Sequence, residues 1–188
     1  MPKKPEPRLS AADWETAALD ALAEDGLAGI AVEALARKLG VTKGSFYWHF
    51  ADRDALLAAA LARWETSYTD NLIAQLGEIR DPRARLARLF ALVTSGGRGD
   101  RIHIGLANSP HALVRKTLAR ASHRRIAFLE SCYAELGQPK AIARRSALIA
   151  YAAYVGLVHL RLEAPGELPA SSEELVKLVP GLVPKPRS

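Results

Sequence analysis

The sequence has little that would place it outside a reducing cell interior. It contains one cysteine, Cys132, in 188 residues, so a disulfide framework within the chain is excluded. No run of about 18 apolar residues free of charged side chains occurs, and we therefore expect no transmembrane helix. The start of the chain is basic, but no apolar stretch of the kind found in secretory signals follows it. We expect a cytoplasmic protein that has no membrane partner.

Motifs for catalysis and for metal binding are also scarce. The glycine-rich segment 96–99 follows a predicted helix, whereas a phosphate-binding loop follows a strand. His103 and His111 are eight positions apart and lack the acidic partners that a zinc site needs. Cys132 has no histidine near it in sequence, which favours a buried, inert thiol. We expect no catalytic residues, no metal and no cofactor, and hence no enzyme.

Helical periodicity runs through the whole chain, and no segment alternates convincingly as a strand does. Glycine and proline residues separate the helical segments. The 49% hydrophobic content is enough for a large core. The fold class is therefore all-α. We predict helices at about 10–25, 32–39, 43–50, 52–76, 82–95, 100–107, 111–136 and 139–163, and a short one from about residue 171.

Residues 41–50, which follow Gly40, form the most informative segment. On a helical wheel Phe46 and Phe50 lie about 40° apart and predict a buried stripe. Gly44 and Trp48 fall on the opposite side. A glycine inside so short a helix costs roughly 1 kcal/mol relative to alanine, which is reasonable if another molecule approaches the backbone there. The segment is typical of the second helix of a helix-turn-helix.

Positions spread over three helices resemble the DNA-binding head of the TetR family of transcriptional regulators. The matching residues, within about 9–57, are Ala17-Ala18, Gly26, residues 32–36, residues 40–50 and residues 52–57. The resemblance implies a three-helix head with a helix-turn-helix, joined by a long fourth helix to a helical domain for effector binding and dimerisation. It departs from the family at Ala31, where a Ser or Thr cap is usual.

The resemblance also implies the boundaries of the parts. We expect a flexible tail at 1–9, a DNA-binding domain at 10–51, a ligand-binding and dimerisation domain at 52–180 and a second tail at 181–188. Arg8 and the tail lysines could act as an arm on DNA, although such tails are more often only solvated. The fourth helix, about 25 residues long, is predicted to connect the head to the body.

The predicted DNA contacts lie on and beside the aromatic segment. Thr42 and Lys43 begin its helix, where phosphate is favoured, and Arg53 resembles the family's phosphate-anchoring position. An ordinary aromatic-rich core helix, and an ordinary solvated arginine at 53, remain the alternatives. The full set comprises Thr42, Lys43, Gly44, Ser45, Tyr47, Trp48, His49 and Arg53.

A second set of residues is predicted to line a small-molecule cavity after residue 57. Aromatic walls with a few polar groups are typical of such cavities, although each residue taken singly is more often core. We expect about a third of the set to touch an effector. The candidates are Trp64, Tyr68, Phe90, His103, Asn108, His111, Phe128, Tyr151 and Tyr154.

The helix at 139–163 is apolar on all sides, so something must cover each face. A central core helix in a monomer is one reading, and a homodimer interface formed with residues 118–136 is the other. Two heads that read successive major grooves must sit about 34–36 Å apart, which favours the dimer.

The sequence therefore predicts a ligand-responsive regulator that binds double-stranded operator DNA as a homodimer, and that a small molecule of unknown identity releases. The charge distribution favours an alternative, because residues 1–52 contain six Lys/Arg and eight Asp/Glu. That alternative is a helical small-molecule binding protein or enzyme whose head no longer binds DNA.

Overall fold

The computed structural model describes residues 9–168 and Glu174. The predicted N-terminal arm before residue 9, the last helix from about 171 apart from Glu174, and the C-terminal tail at 181–188 lie outside the described residues. Within the described part, all regular structure is helical, so the expected all-α fold is confirmed. The helices are α1 (Ala11–Asp25), α2 (Val32–Lys38), α3 (Lys43–Tyr47), α4 (residues 53–77), α5 (Pro82–Thr94), α6 (Arg98–Ala107), α7 (Ala112–Glu135) and α8 (Lys140–Glu163).

The starts of the helices follow local chemistry. The carboxylate of Asp52 accepts a hydrogen bond from the amide of Ala55 at 2.8 Å and caps α4. Asp81 caps α5 in the same way, and Pro82 occupies its first turn. At α1 the carboxylate of Asp13 accepts a bond from the amide of Ser10 at 2.7 Å. No side chain caps α2, which nevertheless begins directly after Ala31.

Helix α4 differs from the uninterrupted α-helix that the sequence predicts. It consists of an α-helical part, Arg53–Glu65, a π-helical turn, Thr66–Asp70, and a second α-helical part, Asn71–Gly77. The amide of Asn71 donates to the carbonyl of Thr66, five residues back, where an α-helix would use the fourth. The helix is therefore continuous from head to body, as expected, but carries one extra residue at its middle.

The buried apolar side chains form two clusters. The first joins the head to the adjoining helices, with Trp14, Phe46 and Trp64 beside Ile102 and Leu106 of α6. The second lies farther along α4 and includes side chains from α5, α7 and α8. Helix α6 therefore shares a core with the head, and we expect the two to move together.

Helices α1 and α6 approach each other closely enough for their backbones to touch. A Cβ atom added to Gly105 would overlap the carbonyl oxygen of Leu22, and one added to Gly26 would lie 3.1 Å from the carbonyl oxygen of Gly105. Two glycines thus allow a contact that any side chain would prevent.

Helix α8 is the one described helix that is long and apolar enough to cross a membrane by length and composition. One face of it packs on the body through Ala143, Ala147 and Ala150. A different face, about 110° round the helix, exposes Ile142, Ile149 and Leu160. An apolar face of this kind also suits a protein partner, so the composition alone is weak evidence for a membrane span.

Candidate DNA-binding surface and ligand cavity

Helix α3 has the orientation that the helical wheel predicts. Phe46 and Phe50 are buried, and the Phe46 ring packs edge-on against Trp14 with 5.3 Å between the ring centroids. On the other side Trp48 is 87% exposed and Tyr47 is 57% exposed. Thr42, Lys43 and Gly44 are exposed as well, whereas Ser45 and His49 are half-buried. The outer surface of α3 is therefore aromatic and open.

Gly44 lies on this outer surface without being required by the protein itself. A Cβ atom added there would meet only the hydroxyl oxygen of Thr42, at 3.6 Å, and the backbone is not in the left-handed region. The fold therefore has room for a side chain at position 44. The packing of the protein itself therefore does not explain the glycine at this position.

Lys43 forms an ion pair with Glu33 of α2, with 2.5 Å between its Nζ atom and the carboxylate. The hydrogen bond from Lys43 lowers the pKa of Glu33, and the same bond raises the pKa of Lys43. Both side chains are largely exposed, so solvent screens the pair and a phosphate can compete for the ammonium group. The pair holds Lys43 against α2 in the free chain.

Arg53 has a structural role that the sequence did not reveal. Its Nε atom donates to the carbonyl of Ile30 at 2.6 Å, and its Nη2 atom donates to the carbonyl of Leu27 at 2.9 Å. These bonds tie the loop before α2 to the first turn of α4. A phosphate contact by Arg53 stays a prediction, and the structure adds that this arginine fixes the loop.

Four of the seven acidic residues that the structure describes within residues 1–52 pair with basic residues, one of them Glu24 with Lys38. On α1, Asp20 lies 2.7 Å from Arg98 of α6, and Glu15 lies 3.1 Å from Arg63 of α4. Lys43 pairs with Glu33, as described above. The excess of acidic residues in the head therefore does not make the outer surface of α3 acidic. This observation weakens the alternative in which the head no longer binds DNA.

A cavity of about 260 Å³ lies among α4, α5, α6, α7 and α8. Most of its wall is apolar, from Leu72, Leu76, Leu89 and neighbouring side chains. Five of the nine residues predicted from the sequence lie in this wall: Tyr68, Phe90, Phe128, Tyr151 and Tyr154.

The other four predicted residues lie elsewhere. Trp64 is fully buried beneath the guanidinium group of Arg125, 5.2 Å from the ring centroid. His103 is buried beside it, and burial lowers the pKa of His103 to about 4, so the imidazole is neutral at neutral pH. Asn108 ends α6, and His111 precedes α7 at 3.5 Å from Asp54. Whether any of the nine contacts an effector stays a prediction.

One end of the cavity is polar, and the sequence did not single out its charged members. The Tyr154 hydroxyl donates to the carboxylate of Asp100 at 2.7 Å. Burial raises the pKa of Asp100 and also that of Tyr154. Arg98 and Arg125 complete this end. The only available signal was the position of Asp100 in the first turn of α6, which is also where an ordinary dipole-stabilising acid would stand.

The polar end of the cavity also contacts the head. Besides its ion pair with Asp20, Arg98 donates a hydrogen bond from Nη2 to the carbonyl of Thr16 at 3.0 Å. Both partners belong to α1. A molecule that displaces the start of α6 would therefore displace a residue bound directly to the head.

Comparison with known proteins agrees with this arrangement. Residues 16–60 match the family model of bacterial regulatory proteins of the tetR family. The class A tetracycline repressor protein from transposon 1721 of Escherichia coli is 37% identical over 91 residues, which span 47% of this chain and 42% of that protein. The chain thus spans less than half the length of this curated relative.

Solved structures share the fold over nearly the whole chain. A transcriptional regulator from Rhodococcus sp. Rha1 is 24% identical with a TM-score of 0.72, covering 93% of this chain and 96% of its own. The regulator FadR from Bacillus subtilis, solved in complex with stearoyl-CoA, is 16% identical with a TM-score of 0.68, covering 93% and 98%. Residues 16–60 therefore match the head of the tetR family of bacterial regulatory proteins, and the chain as a whole has the fold of these solved transcriptional regulators.

Proposed function

We propose that the chain is a ligand-responsive transcriptional regulator that binds operator DNA as a homodimer and is released by a small molecule. The observation that carries the proposal is the outer surface of α3, where an indole that is 87% exposed stands beside a glycine with open space. A short helix with such a surface fits the major groove, which is about 12 Å wide. The match to the tetracycline repressor supports repression as the direction of control.

The roles of the α3 residues follow from their positions. Thr42 and Lys43 stand at the start of the helix and contact phosphate, and Trp48 meets a thymine methyl group or a sugar. Tyr47 and His49 flank the groove and bond phosphates. Gly44 lets the DNA come close to the backbone.

The proposed dimer uses the exposed face of α8. Ile142, Ile149 and Leu160 lie within about 20° of one another on the helical wheel, and all three are more than two-fifths exposed in the single chain. Gly156 lies on the same face and has no atom near its missing side chain. The face is apolar and lets another helix approach closely, which fits the same helix of a second copy.

The proposed effector is small and mostly apolar, with one polar group. An apolar wall that ends at Asp100, Arg125 and Tyr154 suits a molecule of this kind. FadR from Bacillus subtilis, which has the same fold, was solved with a ligand that has a long apolar chain. Filling the cavity need favour the DNA-incompetent arrangement by only about 1–3 kcal/mol to weaken binding several-fold to a hundredfold. DNA as partner also implies a location in the cytoplasm.

The DNA-binding part of the proposal is tested by selecting duplexes from a random pool with the full chain and measuring gel shifts at two salt concentrations. We expect affinity to fall with salt, because phosphate contacts release counterions. Lys43→Ala and Tyr47→Ala should each weaken the selected complex by about tenfold, and Lys43→Ala should also reduce the salt slope by about one.

A matched control for these variants is Lys38→Ala, which removes a lysine of the same head that pairs with Glu24 away from α3. Variants that bind as well as wild type would instead support a helical binding protein or enzyme whose head has lost DNA contact.

A further inference from the structure

The π-helical turn of α4 stands where the helix passes from the head to the body. Such turns are rare and occur mostly as one extra residue inserted into an α-helix, often at functional sites. The sequence gives a reason for the insertion. The inward-facing residues from Trp64 to Leu76 follow one another at intervals of four residues, three times in succession. In an α-helix each interval of four turns about 40° past a full turn, so Leu76 would point about 120° away from Trp64. One extra residue reverses about 100° of this rotation, so both halves of α4 face the core.

Three arginines of α7 hold the turn on the side facing the body. Two of them bind carboxylates at its ends, and the third binds a hydroxyl and a carbonyl at its centre. The contacts are Arg120 with Glu65 at 2.5 Å, Arg124 with Asp70 at 2.5 Å, and Arg125 with the hydroxyl of Thr69 at 3.0 Å and the carbonyl of Tyr68 at 3.2 Å. The wide turn is therefore fastened to α7 at Tyr68, Thr69 and Asp70, and at the residue just before it, Glu65.

The same turn forms part of the cavity wall, through Ser67, Tyr68 and Thr69. The ring of Tyr68 packs against Gly99 of α6 so closely that a Cβ atom on Gly99 would overlap it. The adjacent residue, Arg98, is bonded to α1 of the head. A ligand in the cavity would thus touch the turn, and the turn touches Gly99, the neighbour of the arginine that contacts the head.

We propose that this π-turn is the joint at which α4 changes register when the cavity is filled, an inference that rests on the proposed function. A ligand that draws Tyr68 and Thr69 away from Arg125 lets the turn close to α-helical hydrogen bonding. The extra residue then moves the head-side half of α4 along its axis by up to about 1.5 Å and turns it by up to about 100°. The two heads of a dimer lose their spacing when both joints close.

Deleting Thr66 tests the joint, because the deletion removes the extra residue while both halves keep their positions. Thr66 is exposed and lies outside the cavity wall. Its matched control is Thr66→Ala, which changes the side chain and keeps the residue count. The probe is 1-anilinonaphthalene-8-sulfonate, whose fluorescence rises in apolar surroundings and so reports occupancy of the cavity.

With the probe bound, the affinity of wild type and of Thr66→Ala for a selected duplex should fall by about fivefold or more. The deletion variant should bind both duplex and probe, and its duplex affinity should not respond to the probe. The proposal is overturned if the probe releases the duplex equally from the deletion variant and from wild type. It is also overturned if the probe occupies the wild-type cavity and the duplex stays bound.

Hydrogen exchange at the amides of residues 70–73 is followed in the same samples without DNA. Filling the cavity should change this exchange in wild type and leave it unchanged in the deletion variant. If exchange at these amides in wild type does not change when the cavity is filled, the proposed joint is wrong, whether or not the protein binds a duplex. If exchange changes as expected but no duplex is bound, only the proposed function is contradicted.

Thr69→Val provides a second variant should the deletion disturb folding. It keeps the shape of the fully buried Thr69 side chain and removes the hydroxyl that accepts from Arg125. Without the hydrogen bond from Arg125, the turn should close more readily. The variant should therefore bind the duplex less tightly without probe, and a lower probe concentration should release half of the bound duplex. If both quantities equal those of wild type, the turn is not the joint.

Discussion

Replacing Gly44 with leucine should stabilise the head and weaken DNA binding at the same time. Leucine is a better helix former than glycine by about 0.8 kcal/mol, and the space around position 44 holds no protein atom closer than the Thr42 hydroxyl, at 3.6 Å. The same space is where the proposed duplex lies. We expect the duplex affinity to fall by about tenfold or more, which corresponds to about 1.4 kcal/mol.

Thermal or denaturant unfolding measures the first effect, and gel shift with a selected duplex measures the second. Gly77→Leu is the matched control, because Gly77 is also helical and exposed and has no atom within 4 Å of its missing side chain. It should stabilise the chain without changing DNA affinity. A Gly44→Leu variant that binds DNA as wild type does would show that the space outside α3 is empty in the complex.

Replacing Ile149 with aspartate should separate the dimer into single chains and reduce DNA affinity by about a hundredfold. Ile149 is 62% exposed in the single chain and lies at the middle of the apolar face of α8. A carboxylate buried there without a partner is costly, whereas in the single chain it remains hydrated. Two linked heads bind about 10²–10⁴ times more tightly than one, so DNA binding should fall together with the dimer.

Sedimentation velocity measures the mass of the assembly, and gel shift again measures affinity. The control is Leu162→Asp, which places the same charge on the same helix about 140° round from Ile149. Leu162 is 58% exposed, so the two sites differ mainly in the face that they occupy. If Ile149→Asp remains dimeric, or if both variants dissociate equally, the exposed face of α8 is not the interface.

Much of the fold could be predicted from the sequence because local signals agree with it. The four-residue spacing of Phe46 and Phe50 places both rings in the core and leaves Trp48 outside. Asp52 and Asp81 cap the helices that they precede. In these places hydrogen bonding and periodicity within a few residues decide the structure.

The π-turn could not be predicted with the same rules, although its signal was present. Inward-facing residues spaced four apart from Trp64 to Leu76 fit an α-helix of about 3.6 residues per turn poorly. Periodicity alone does not show at which residue the helix will accommodate the misfit. The bonds from Arg120, Arg124 and Arg125 fix the position, and these arginines are about 55 residues away in sequence.

The cavity shows a similar division. Five of the nine candidate residues line the wall, whereas Trp64 and His103 are buried in the core beside it. Asp100 and Arg125 are charged side chains on helices, which usually indicate a solvated surface. Only the packing of α6 and α7 against α4 turns them inward.

The most direct test of the account is the fluorescence of Trp48. Of the three tryptophans, Trp14 and Trp64 are fully buried, so collisional quenching by acrylamide reports on Trp48. We expect a quenchable fraction in the free protein that disappears when a selected duplex is added and that is absent from Trp48→Phe with or without DNA. A wild-type fraction that stays equally quenchable in the DNA complex would contradict the claim that DNA occupies the outer surface of α3.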